Sequence, residues 1–439
     1  MKKNIYIKTK IPAPGTQKII NDLSKVESRS MHGQLPIVWK KAKGFNIWDV
    51  AGNKFIDFTS TIFVANIGHS NKRLKKYLSY CLNKNLIHSY AYATKIKENY
   101  IKKLLKFCRL KNSKAFLMSS GTEATEAALK LMRLNGIKNK KRSLGIICFE
   151  GNWHGRTMGS QMMSGNLRQK EWIGSHDNNI HHLPFPYPWD ISEKDAESFF
   201  LKSLNYLQKK KKISLQKDVC GFMIETFQGW GAVYYPKNYI KALYKVCKKN
   251  KIIISFDEMQ SGFARTGCRF GYEHYGIEPD LICCGKGMGG GIALSGVIGK
   301  KSIMDLPEIG NMSSTNSGNP LACYAGLAVI DEILERKLEY STLKKGLILE
   351  QKLKKIKIIY PKLIKAISGK GLIYAIIFNE HYPNIEEKLR LLCQECMKNG
   401  LLVVYTGRES VKIGPPLTIT KQALNEGIEI INRSIKKCF

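Results

Sequence analysis

The sequence predicts an α/β chain: a mainly parallel sheet in a large domain, with a smaller α+β domain built from both chain ends. Three observations carry this prediction. Strand-like apolar runs alternate with helical or loop sequence over roughly 180 residues, the pattern of a parallel sheet covered on both faces. Short alternating segments crowd the beginning of the chain, and the end mixes helices with short strands. Two apolar runs end in an ionisable residue, as expected where parallel strands deliver reactive groups to the carboxyl edge of a sheet. The expected divisions are residues 1–60, an N-terminal arm and small-domain segment; 61–325, the large domain; and 326–439, the C-terminal small domain.

In chain order, Pro12 to Pro36 is polar and reads as an arm or short helix that cannot form a core alone. Ile37–Trp39, Phe45–Trp48 and Lys54–Phe58 read as a small antiparallel meander, separated by Lys43-Gly44 and by Asp49–Asn53. Helical patterns follow at Lys72–Leu82 and Ile96–Phe107. Lys114–Met118 is a strand, and Ser119-Ser-Gly-Thr122 opens a helix in which Ala124, Ala127, Ala128, Leu131 and Leu134 recur at helical spacing. A strand, then Ser-Gly-Thr, then a helix can bind an anion, because free N–H groups and hydroxyls meet it at the positive end of the helix dipole; ordinary N-capping is the competing explanation. Strands are expected at Ser143–Phe149, Val219–Glu225, Ile252–Asp257, Leu281–Cys284 and Leu294–Ile298. A helix runs from Asn319-Pro320 to about Leu338, and strands recur at Gly371–Phe378 and Leu401–Val404.

With 439 residues, 44% of them hydrophobic, the chain can bury a sizeable core. The 71 basic and 35 acidic residues leave a formal charge of +36, yet only 13 of the basic residues are Arg. The lysines are spread along the chain without an aromatic-interleaved basic motif, so nucleic acid is not expected as a partner. No apolar run is long enough to span a membrane, and the first residues lack a signal peptide's apolar core, so a cytoplasmic protein is expected. The twelve cysteines have no framework spacing and read as reduced thiols. Cys393-Gln-Glu-Cys396 has no second pair or nearby His, and no metal site is expected.

The chemistry concentrates at Leu281-Ile-Cys-Cys-Gly-Lys286-Gly-Met-Gly-Gly-Gly291 and at Asp257-Glu258-Met259-Gln260. A Lys that ends an apolar run and is followed by glycines emerges where backbone can be approached closely. A Lys and an Asp on neighbouring strand ends suit pyridoxal 5′-phosphate (PLP). The Lys joins its aldehyde as a Schiff base, and the Asp keeps the pyridine nitrogen protonated.

With these motifs in order, the sequence resembles the class III aminotransferases of the fold-type I PLP enzymes, from about Phe55 to Pro416. Phe55-Ile-Asp-Phe58 with Gly68-His69 resembles the family's opening motif, Ser119–Ala128 its phosphate-helix motif and Gly151-Asn-Trp-His-Gly-Arg156 its aromatic-His-Gly motif. Phe256–Gly262 with Arg265-Thr-Gly267 resembles the aspartate motif, and Gly285-Lys-Gly287 with Gly289-Gly-Gly291 the lysine motif. Ser313-Ser-Thr315 with Gly318–Ala322 resembles the segment that reaches the neighbouring subunit's cofactor.

The resemblance implies that Ser120, Gly121 and Thr122 hold the phosphate, joined by Thr315 across a homodimer interface. It implies that Trp153 stacks on one face of the ring, Met259 closes the other in place of the usual Val, Gln260 bonds the phenolic oxygen and Glu225 supports the site near Asp257. Lys286 then serves as Schiff-base partner and proton carrier, with an ω-amino acid or primary amine as donor and a 2-oxo acid as acceptor in ping-pong order. Arg156 matches the Arg that in 4-aminobutyrate aminotransferases takes the donor's distal carboxylate. In the 4-aminobutyrate and ornithine enzymes a Glu at the Trp230 position pairs with an Arg at the Lys412 position. Here both have changed, which implies a broad apolar wall at Trp230 and a point charge at Lys412, with Arg408 as an alternative carboxylate partner. An aminomutase of the glutamate-1-semialdehyde type, a dialkylglycine-type decarboxylase and an aminotransferase acting on sugars or polyamines are the rival readings within the class. A basic nucleic-acid-binding protein or an inactive scaffold are the rivals outside it.

Overall fold

The computed structural model describes residues 3–439. The chain forms two compact units, the first from residues 1–75, 230–232 and 337–439, the second from 76–229 and 233–336.

In the first unit, Trp39–Lys43, Asn46–Asp49 and Lys54–Asp57 form an antiparallel meander, as expected, but its first strand lies after Ile37–Trp39, sharing only Trp39 with that segment and running through Lys43. Leu401–Leu402 joins its last strand in parallel. Ile47 and Phe55 are fully buried here and pack with Ile11, Met397 and Leu402, but burial does not alternate along the strands: Asn46, Ile47 and Asp49 are all buried, as are Phe55, Ile56 and Asp57. Ile364–Lys370, Ile373–Phe378, Ser410–Ile413 and Val404–Tyr405 form a second, antiparallel sheet in that order. The single strand expected at 401–404 is therefore two, which serve different sheets.

In the second unit a seven-stranded sheet has the order Ser113–Met118, Ser295–Lys300, Leu281–Cys284, Ile253–Asp257, Val219–Glu225, Gly145–Phe149 and Ile180–Leu183. The last five pair in parallel, and Ser295–Lys300 runs antiparallel to both its neighbours. The helix Gly121–Lys138 lays Ala124, Ala128, Leu131 and Met132 against Ile146, Cys148, Met223 and Cys283 of the sheet. Small residues on that helix face bring its backbone, and with it its N-terminus, close to the strand ends.

Both boundaries lie later than the sequence suggests. Residues 61–75 bond back into the first unit: Leu417 N donates to Asn66 O at 2.9 Å, Gly44 N to His69 O at 2.8 Å, and His69 Nε2 lies 2.7 Å from Asp57 Oδ2. The helix Pro320–Glu335 belongs to the second unit, packing so tightly on Lys95–Cys108 that a Cβ at Gly326 would meet the Tyr100 ring at 2.4 Å. Lys337, in a left-handed conformation, separates it from the helix Leu338–Ile359. Among the described residues no helix is long and apolar enough to cross a membrane, and no group of three His, Cys, Asp or Glu side chains is placed to hold a metal ion. All twelve cysteines are free thiols, ten of them buried.

Candidate active site

Three adjacent parallel strands build the floor. Ile253–Asp257 lies between Val219–Glu225 and Leu281–Cys284, in a register that sets Asp257 beside both Glu225 and Cys283. Two apolar runs that each end in a carboxylate thus place both carboxylates at one sheet edge, and Lys286 follows two residues beyond the third strand. Lys286 takes a left-handed backbone, φ 45°, a strained conformation for a residue with a side chain, between Gly285 and Gly287. Burial pushes its ammonium below the ordinary lysine range, while the charges of Asp257 and Glu225 oppose the shift.

Asp257 is buried and held at both oxygens: Oδ2 lies 2.9 Å from His154 Nδ1, and Oδ1 accepts from Met259 N at 3.0 Å. Glu225 Oε2 accepts from Trp153 N at 3.0 Å and Gly229 N at 3.2 Å, tying two loops to the sheet edge. On the other side of the strand, Glu258 has all four carboxylate positions filled. Oε1 accepts from Thr226 Oγ1 at 2.5 Å and Tyr272 N at 2.8 Å, and Oε2 from Ser261 Oγ at 2.6 Å and Gly271 N at 2.7 Å. Burial nevertheless pushes this carboxyl up to about 7 against those hydrogen bonds.

A cavity of about 190 Å³ opens over this edge, lined by Gly121, Thr122, Trp153, His154, Gly155, Glu225, Asp257, Met259, Gln260 and Lys286. Eight of the thirteen residues singled out from sequence meet there. Ser120 does not line it. Its hydroxyl caps the helix instead, accepting from Glu123 N at 3.4 Å while donating to Glu123 Oε2 at 3.0 Å, and Glu123 Oε2 also accepts from the amides of Ser119 and Ser120. The Thr122 hydroxyl sits 2.7 Å from Thr157 Oγ1 and 3.0 Å from Ser160 Oγ. Arg156 stacks its guanidinium 4.5 Å above the Trp153 ring. Thr315 is exposed, and its carbonyl lies 3.0 Å from His88 Nε2. Trp230 and Lys412 belong to the first unit, where the Arg408 guanidinium lies 3.8 Å over the Trp230 ring and pairs with Glu409 at 2.9 Å. Lys412 is buried there, its ammonium 4.5 Å from the Phe63 ring.

Sequence reasoning missed His154 as a functional residue in its own right. Its signal was a His beside the aromatic Trp153 and a Gly, but only the fold brings it to Asp257.

The family profile of the aminotransferases of class III matches residues 28–435. The chain belongs to the class III aminotransferases. The mitochondrial acetylornithine aminotransferase of Candida glabrata is 32% identical over 408 residues, covering 90% of each chain. The leucine/methionine racemase of Thermococcus litoralis is 30% identical over 409 residues, 91% of this chain and 90% of the racemase. Among solved structures, the acetylornithine aminotransferase of Elizabethkingia anophelis superposes with a TM-score of 0.80 at 28% identity, over 97% of this chain and 100% of that one.

This aminotransferase is thus a fold-type I enzyme, and its cofactor is PLP. The cavity fits that group. Two of its lining residues are glycines that leave no room for a side chain: a Cβ at Gly121 would meet Met259 Sδ at 2.8 Å, and one at Gly155 would meet Thr122 Oγ1 at 2.4 Å. His154 Nε2 is buried with no hydrogen-bond partner, an orphaned polar atom behind the aspartate.

Proposed function

We propose that this aminotransferase moves an amino group from an ω-amino acid or primary amine donor to a 2-oxo acid, in ping-pong order, as a cytoplasmic homodimer with shared active sites. One observation carries the reading: Lys286, Asp257 and Glu225 surround a single cavity whose rim includes the first residues of the helix Gly121–Lys138. When bound, PLP supplies an electron sink for the charge left on the donor carbon. Lys286 Nζ takes the proton from that carbon, and desolvation, by favouring the neutral amine, suits it to the task. Asp257, braced by His154, holds the proton on the pyridine nitrogen. Gly121 and Thr122 hold the phosphate at the positive end of the helix, with Ser120 fixing that end as its cap and Thr315 of a second copy completing the grip. Trp153 and Met259 cover the two ring faces, Gln260 bonds the phenolic oxygen, and Glu225 supports the floor.

For the substrate, Arg156 takes the donor's distal carboxylate, and its stacking on Trp153 keeps the fork beside the ring plate. Trp230 provides an apolar wall, and Lys412 a point charge for the acceptor's carboxylate. The donor therefore carries an apolar or hydroxylated body larger than 4-aminobutyrate. A second reading of the carboxylate site has its own support: Arg408, half-exposed, offers a planar fork on the Trp230 ring, whereas Lys412 is buried.

A donor screen against 2-oxoglutarate and pyruvate tests the activity. Turnover without any oxo acid supports an aminomutase, release of carbon dioxide a decarboxylase, inversion of the amino-bearing carbon a racemase, and indifference to carboxylate-bearing donors a sugar or polyamine enzyme. Kinetics then assign the gate. Lys412→Ala raises the acceptor KM under the first reading and Arg408→Ala under the second, while Trp230→Glu shifts donor preference. If Lys412→Ala leaves the acceptor KM unchanged and Trp230→Glu leaves donor preference as it was, the altered gate is wrong.

A further inference from the structure

Met259 stands where the resembling enzymes have Val, and its thioether is the one oxidisable sulfur among the residues lining the 190 Å³ cavity. It is otherwise buried, 8% exposed. Its amide is tied to Asp257 Oδ1 at 3.0 Å. On one side the sulfur lies against Gly121 and Gly285, so closely that a Cβ at either would stand 2.8 or 2.7 Å from Sδ. Backbone therefore occupies that side and buried apolar neighbours surround the residue, so the cavity that Met259 lines is the route by which an oxidant reaches it.

We propose that Met259 is a site of reversible oxidation that records whether the cofactor is present: a peroxide converts it to the sulfoxide in the cofactor-free chain, the sulfoxide blocks loading, and bound PLP shields the sulfur. This rests on the reading that the cavity holds PLP. The step balances with hydrogen peroxide as oxidant. A sulfur lone pair attacks one peroxide oxygen, the O–O bond breaks, an S–O bond forms, and the departing hydroxide takes the remaining proton to leave as water. Sulfur is oxidised by two electrons and peroxide reduced by two. The product would add a polar oxygen to a side chain that lines a small cavity together with the carboxylates of Glu225 and Asp257, taking up space the cofactor would need. A flexible apolar plate becomes a polar obstruction, and a sulfoxide reductase restores it.

The structure supplies internal controls. Met31 and Met158 are exposed, 63% and 53%, and oxidise whether or not the cofactor is bound. Met132, Met163, Met223 and Met288 are fully buried away from the cavity lining. The experiment treats the cofactor-free and PLP-loaded protein with hydrogen peroxide, follows each methionine by peptide mass spectrometry, and then measures PLP affinity by absorbance titration. Met259 sulfoxide accumulates about tenfold or more faster without PLP, while Met31 and Met158 react alike in both. Lost PLP affinity returns with methionine sulfoxide reductases and not with a thiol reductant. Met259→Leu keeps its own PLP affinity after peroxide. Three results overturn the proposal: Met259 unmodified when Met31 and Met158 are fully oxidised, equal oxidation with and without PLP, or unchanged PLP affinity after complete Met259 oxidation. Peptide mapping on the native chain decides the first two even if the Leu variant does not fold. Failure of untreated protein to bind PLP is a separate result, which refutes the cofactor reading and the proposal with it.

Discussion

Two ionisable side chains at strand ends set the chemistry at the scale of the residue, and each makes a sharp prediction. Lys286→Ala abolishes transamination while PLP still binds without a covalent bond; borohydride reduction of the native protein followed by mass spectrometry places the adduct on Lys286. An adduct on another lysine refutes that role. Asp257→Asn lowers turnover on the order of 100-fold or more with the fold intact, because an amide cannot stabilise a protonated ring nitrogen; steady-state rates with circular dichroism check both halves. Glu258 carries the pH prediction. Its carboxyl is pushed from 4.5 up to about 7 by burial, so between those values the folded chain holds a proton that the unfolded chain has released. This group's contribution to stability is present below the lower value and is lost as pH rises through the upper one. The loss is on the order of 3 kcal/mol. Melting curves of cofactor-free Glu258→Gln should lack this slope between pH 5 and 7; identical slopes in the two proteins would exclude the raised carboxyl.

Among elements, three of the legible strands are buried completely on both faces. Val219–Glu225, Ile253–Asp257 and Leu281–Cys284 are continuous apolar runs, and their ends could be placed to within a residue. Ile180–Leu183 escaped because its two histidines break the apolar run at a sheet edge. The helix expected to end at about Leu338 does end close by, at Glu335, but the separate helix Leu338–Ile359 beyond Lys337 escaped, because a left-handed residue that is neither Gly nor Asn leaves no local signal of a new start. The first unit contains a sharper case. Ser60, Thr61, Ile62 and Phe63 have φ of 46°, 53°, 59° and 68°, a full turn of left-handed helix without glycine. Each such residue costs roughly 1–2 kcal/mol, so the surroundings must impose the turn. Asp57 Oδ1 accepts from Thr59 N at 2.7 Å and Ser60 N at 3.2 Å, and Ser60 Oγ donates to Gly414 O at 2.6 Å. Thr61→Gly relieves strain at an exposed position and should raise stability by about 0.5–1 kcal/mol, after the entropy that glycine adds to the unfolded chain. Urea unfolding measures it, and a loss of stability would show that Thr61 is held by more than it strains.

For the whole molecule, the prediction concerns sharing between copies. If Thr315 completes the partner's phosphate site, mixing Lys286→Ala with Thr315→Ala subunits makes heterodimers with one site carrying both lesions and one carrying neither. Activity should then recover towards half that of the native protein per heterodimer, and verified heterodimers without recovery would refute sharing. The formal charge of +36 is spread along the chain, and screening by salt should weaken any attraction it exerts on anionic substrates. What the sequence determined by itself is what local chemistry and periodicity encode: the α/β class, the fully buried strands, the helix that follows Ser120, and the Lys and Asp that end apolar runs. Those signals survive in one dimension because a strand buried on both faces must be apolar throughout, and any ionisable residue at its end stands out. Only the tertiary structure decided that Glu225 and Asp257 stand in register, that His154 reaches Asp257 across 103 positions, and that Ser120 spends its hydroxyl on a cap. It also decided that Leu401–Leu402 and Val404–Tyr405 join different sheets and that residues 61–75 fold with the chain's end. Each of these is a pairing between distant segments, selected by packing and hydrogen-bond satisfaction in three dimensions, and no window of neighbouring residues contains it.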